Sequence, residues 1–138
     1  MLLLATIAGL AFLARLIPVL RGGGLDSVFT YDDAVYYSSA IAFVHGEIPY
    51  RDFLLVHPPG ILFILAPLAS LGALFSDATA FEIARLAFMV LGACNAVLVA
   101  LVARRMGWTA GVCAGALYAV WDIAAFVERT TWLVETVS

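Results

Sequence analysis

Charge is missing from long reaches of this chain, and that absence constrains what it can fold into. Residues 60–75 and 86–103 carry no charged side chain, 1–20 holds only Arg15, and 107–127 holds only Asp122. A helix rises about 1.5 Å per residue and a bilayer's hydrocarbon core is about 30 Å thick, so one crossing needs roughly 20 residues. Runs 1–20, 86–103 and 107–127 meet that length with their flanks. Run 60–75 is shorter, follows Pro58-Pro59 and is interrupted by Pro67 and Gly72. It suits a helix lying at the membrane surface. The composition agrees: of 138 residues, 64% are hydrophobic and 12% charged, with mean hydropathy +1.06. Ordinary soluble domains are about half apolar and about a quarter charged. The expected fold is therefore an all-α membrane protein, with three transmembrane helices plus juxtamembrane helices in an outer loop.

Net charge is −3 and every basic residue is Arg, with no basic run. Nucleic acid is thereby excluded as a partner. Cys94 and Cys113 lie in apolar runs, where a thiol behaves as a small hydrophobe. Run 1–20 lacks the charged start and the small-residue cleavage site of a signal peptide, so it reads as an anchor.

Topology follows from Arg104-Arg105, which fill the tight turn between the last two spans. Short arginine-bearing loops stay on the cytoplasmic side. Segment 21–85 is then an outer loop, containing juxtamembrane helices at about 31–44 and 60–75. Residues 128–138 begin a second outer segment. All-Arg, Ala-rich usage points to a bacterial plasma membrane, with the site facing outside.

The outer loop concentrates the chemistry. Between 25 and 59 lie Asp26, Asp32, Asp33, Glu47 and Asp52, both His, and Tyr31, Tyr36, Tyr37 and Tyr50. Thr30 with Asp33 three residues later is a capping-box pattern that starts a helix. Tyr36, Ala40, Phe43 and Val44 then form an apolar stripe suited to the membrane surface, and Gly46 stops the helix. Capping accounts for Asp33 but leaves Asp32 without a structural task. Two adjacent acids can also act as a base or hold a divalent cation. His57-Pro58-Pro59-Gly60 reads as a rigid entry to the next helix or as a ligand-contacting His. Trp132 is a candidate interfacial anchor. Asp122 faces either a bundle interior or the headgroup layer.

The ordered set Tyr31-Asp32-Asp33-x-x-Tyr36, Ala40, Gly46-x-x-Pro49-Tyr50-x-Asp52-Phe53 and His57-Pro58-Pro59-Gly60 resembles the first outer loop of the GT-C glycosyltransferases. The likeness is to the protein mannosyltransferases and lipid A aminoarabinose transferases. Asp32 and Asp33 take the positions of that loop's Asp-Glu pair, and Tyr36 that of its aromatic. Asp replaces Glu at 33. Glu135 falls one residue later than the family's second-loop acid, whose place Val134 occupies. The family's members are several times longer, so the resemblance makes this an N-terminal part or gene fragment.

The resemblance implies sugar transfer from a polyprenyl-phosphate donor to a hydroxyl of a protein, lipid or glycan, with inversion. Asp32 would be the base and Asp33 its orienting partner, a divalent cation being possible at the two. Tyr36, Tyr50, Arg51, His57, Arg129 and Glu135 would contact substrate. Arg51, Arg85 or Arg129 would face the phosphate. The alternative is a non-enzymatic small membrane subunit, or a lipid- or transport-associated protein, indifferent to changes at Asp32.

Overall fold

The computed structural model describes residues 2–55 and 59–130. Over these the chain is all-helical: α1 (Leu2–Arg21), α2 (Tyr31–Val44), α3 (Gly60–Ala69), α4 (Asp77–Ala103), α5 (Trp108–Val120) and α6 (Asp122–Thr130). A 3₁₀ turn, Ser70–Ala73, extends α3, and another, Arg104–Met106, extends α4. Leu2–Arg21 and Asp77–Met106 are long and apolar enough to cross a membrane. Trp108–Val120 and Asp122–Thr130 make a third candidate if the pair, bent by 53°, is taken as one span.

Two details depart from the apolar runs. The helix holding 86–103 begins nine residues earlier, at Asp77, because Ser76 caps it: its Oγ accepts from the Thr79 N–H at 3.1 Å. The run 107–127 is broken rather than continuous. Trp121 adopts extended backbone (φ −66°, ψ 110°) and the chain turns there into α6.

α1, α4 and α5 each pack on the other two as a three-helix bundle. Its core is built from Ile7, Ala11, Ala93, Ala96, Ala100 and Ala119. Small residues let helix backbones approach closely, and in lipid that packing replaces the hydrophobic drive. A Cβ on Gly115 would stand 2.7 Å from the Ala100 Cβ, and one on Gly111 2.8 Å from the Ala100 carbonyl oxygen. The spacing of four between these glycines puts both on one face of α5.

α2 and α3 pack on each other and on the first turns of α4. Their shared core holds Tyr36, Tyr37, Ala40, Leu55, Ile61, Leu62, Leu65, Phe81, Ala84 and Phe88. Tyr36 and Ala40 of the predicted surface stripe are thus turned into protein rather than toward lipid. The stripe has a protein partner because α3 folds back over it. Phe43 meets Phe63 edge-on, with ring centroids 5.6 Å apart. Phe63 and Ile64 of α3 nonetheless stay largely exposed, as do Leu74 and Phe75 beyond it.

Candidate functional site

The geometry is built from the start of α2. Thr30 is extended and its side chain accepts the Asp33 N–H at 3.3 Å, while the Asp33 carboxylate reaches back to the Thr30 N–H at 3.4 Å. The same carboxylate oxygen, Oδ2, accepts the Phe29 N–H at 3.0 Å. It also faces Arg85 of α4, whose Nη2 lies at 3.1 Å. Arg85 Nη1 donates to the carbonyls of Leu25 at 2.7 Å and Ser27 at 2.6 Å. The rings of Phe29 and Phe81 lie 5.0 and 4.6 Å from the guanidinium carbon. Both charged side chains are wholly buried. One arginine therefore pins the loop after α1, the cap of α2 and the first turns of α4 together. Burial pushes the Asp33 carboxyl above its ordinary range, against the pull of the Phe29 N–H, of Arg85 and of the Thr30 N–H.

Asp32 stands next to this pair but is half-buried. Among the described residues it makes no hydrogen bond or ion pair. The two adjacent acids thus differ in kind. Asp33 is dry and paired. Asp32 keeps its lone pairs available.

The remaining candidates are scattered. Tyr36 is 1% exposed and belongs to the α2–α3–α4 core. Tyr50 and Arg51 sit on an exposed turn after α2, closed by the Tyr50 N–H donating to the Phe53 carbonyl at 2.9 Å. Tyr50 there has φ +65°, a left-handed conformation uncommon for a bulky residue. Arg51 forks onto its neighbour Asp52, with Nε–Oδ1 2.9 Å and Nη2–Oδ2 2.8 Å. That contact and the Ile48 N–H hold the Asp52 carboxyl below its ordinary range. Arg129, in the last turn of α6, is half-buried with its guanidinium 5.2 Å from the centre of the Phe126 ring. Among the described residues no ion pair joins Asp32 or Asp33 to Arg51 or Arg129. His57 and Glu135 lie outside the described residues, as does Trp132.

A crevice of about 220 Å³ opens between α2 and α4, lined by Asp26, Ala34, Tyr37, Ser38, Asp77 and Phe81 among others. At 100° per residue its α2 face, Ala34–Tyr37–Ser38, points away from Asp32. Tyr37 donates to the Asp77 carbonyl at 3.3 Å, and burial together with the Asp77 charge pushes its phenol up to about 12. Among the described residues no group of three His, Cys, Asp or Glu side chains gathers as a metal site. At the Asp32–Asp33 pair, the countercharge of Asp33 is the Arg85 guanidinium.

A second polar cluster was not singled out from the sequence. Arg15 of α1 pairs with Glu128 of α6, both buried. The Glu128 carboxylate also accepts from the Tyr118 hydroxyl at 2.8 Å and the Asn95 amide at 3.1 Å. A signal was present: an Arg inside run 1–20 calls for a partner of opposite charge. Which acid answers it is a tertiary matter.

Compared with family models, with curated proteins and with solved structures, the chain matches none significantly.

Proposed function

We propose that this chain is the N-terminal part of an integral-membrane glycosyltransferase of the GT-C kind, moving a sugar from a polyprenyl-phosphate donor to an acceptor hydroxyl. In this reading α1, α4 and the bent α5–α6 pair cross the membrane, with the Arg104-Arg105 turn cytoplasmic. Helices α2 and α3 lie on the outer surface, with Phe63, Ile64, Leu74 and Phe75 toward the lipid.

The observation that carries the reading is the contrast between Asp32 and Asp33. Asp33 is consumed by the cap and by Arg85, which makes the start of α2 rigid. Asp32 is held on that rigid start with no partner among the described residues. A carboxylate of this kind is suited to take a proton from a hydroxyl. In the proposed step the acceptor oxygen forms a bond to the anomeric carbon from the face opposite the phosphate. The carbon–oxygen bond to phosphate breaks, and polyprenyl phosphate leaves with the electron pair. The acceptor proton goes to Asp32, and Arg129 meets the charge that develops on the leaving phosphate. Asp33 is a positioning residue in this scheme, and Tyr50, on its exposed turn, contributes an aromatic face to the sugar.

The test is Asp32→Asn in the intact membrane protein, assayed for transfer from a polyprenyl-phosphate-linked sugar. Removal of a general base is expected to lower turnover about 10²–10⁴-fold. Near-normal turnover with an intact fold overturns the assignment.

A further inference from the structure

The break at Trp121 has no cause in its own sequence. Sharp kinks arise at Pro, at Gly or Ser, at π-bulges, or where a side chain inserts into the helical hydrogen-bond ladder. Residues 118–124 read Tyr-Ala-Val-Trp-Asp-Ile-Ala and contain none of those residue types. Asp122 opens α6, yet among the described residues it makes no capping hydrogen bond.

An inserted side chain is present, and it comes from α1. Arg15 Nη1 donates to the Ala119 carbonyl at 3.3 Å and to the Ala11 carbonyl of its own helix at 2.8 Å. Ala119 is one of the last four residues of α5, whose carbonyls lack helical donors once the helix stops. A cation at a helix C-terminus also complements the macrodipole. The other side of the same guanidinium holds α6: Nε donates to Glu128 Oε2 at 2.6 Å, and Nη2 contacts the same oxygen. Arg15 thus binds the end of one helix and the body of the next.

The fold makes room for this bridge. A Cβ on Gly92 of α4 would collide with the Glu128 carboxylate and with Arg15 Nε, and would stand 2.8 Å from Glu128 Cδ. The bridge is also deep. Arg15 precedes Arg21 by six residues and Gly92 follows Arg85 by seven, so each lies about 10 Å along its helix from those arginines.

We propose that Arg15 is a clamp that sets the α5–α6 break and thereby fixes where Arg129, the residue after Glu128, is presented. Arg15 and Glu128 are positioning residues. The half of the proposal concerning Arg129 rests on the transferase reading; the half concerning the break does not.

The experiment places spin labels at Ile17→Cys and Phe126→Cys, both on exposed positions of α1 and α6, after Cys94→Ala and Cys113→Ala. The chain in lipid nanodiscs is compared with and without R15M/E128L, which removes both charges and leaves an apolar pair compatible with insertion. Straightening a 53° bend carries position 126 roughly 6 Å, at about 1.5 Å per residue from the hinge. A longer or broadened distance is expected, and an unchanged distribution overturns the clamp. R15K is the second variant: it keeps the charge but lacks the fork needed to reach Ala119 and Glu128 together. A longer component in its distance distribution is expected, and a wild-type distribution again counts against the clamp.

Polyprenyl phosphate without sugar is then titrated into unlabelled protein and the same variants, with Phe126 in place against Arg129. R129Q and R15M/E128L are each expected to weaken binding, and the two combined no more than either alone. A changed distance with binding untouched in all three overturns the Arg129 role and leaves the clamp standing.

Discussion

Arg85 and Asp33 are 52 residues apart in the chain and meet at 3.1 Å, with neither side chain exposed to solvent. Taking one partner from a buried pair strands the other charge. Arg85→Met or Asp33→Asn is therefore expected to lower stability by about 3–5 kcal/mol, whereas Asp32→Asn changes it by less than about 1 kcal/mol. Thermal unfolding in detergent checks this. Equal losses at 32 and 33 would remove the distinction between the two acids.

Thr30→Ala removes the N-cap oxygen while leaving the Asp33–Arg85 pair in place. The expected cost is about 1 kcal/mol, typical of a lost cap. Amide exchange at Asp33, whose N–H loses its acceptor, is expected to accelerate more than exchange at Phe43. Uniform acceleration across α2 would contradict a local cap.

Gly115→Val forces a branched side chain against Ala100, and overpacking of this kind costs about 1–3 kcal/mol. A weaker α4–α5 contact is expected, read by cross-linking of Cys pairs placed on the two helices. Unaltered cross-linking and stability would mean that close helix approach at Gly115 is dispensable.

Tyr37 gives a pH dependence with a definite sign. Its folded phenol is pushed up to about 12 from an ordinary 10.0, by burial and by Asp77. The neutral form is favoured in the fold, so this contribution is fully present below pH 10 and is lost as pH rises through about 12. Tyrosinate absorbance, compared between the protein and Tyr37→Phe, is expected to show one phenol titrating late. If the missing phenol titrates near 10, the burial argument fails.

The capping box and the apolar runs were readable along the chain because each depends on neighbours a few residues apart. Thr30 and Asp33 need only helical spacing to find one another. The packing of Tyr36 and Ala40 was not readable, since an apolar stripe looks the same whether lipid or α3 covers it. Arg51 on Asp52 is local, but its consequence, an arginine already engaged, depends on the turn that Tyr50 closes.

By itself, the sequence determined that this is an all-helical chain with helices apolar enough for a membrane, because charge-free length is a property of the linear order. It also determined that five of the ten acids, both His and four of the five Tyr fall between α1 and α3. Only the tertiary structure decided the partners of the buried charges. Asp33 chose Arg85 over solvent, and Arg15 chose Glu128 across more than a hundred residues. A buried charge is costly unless paired. The sequence therefore shows that partners are required, and the packing of α1, α4 and α6 determines which ones are within reach.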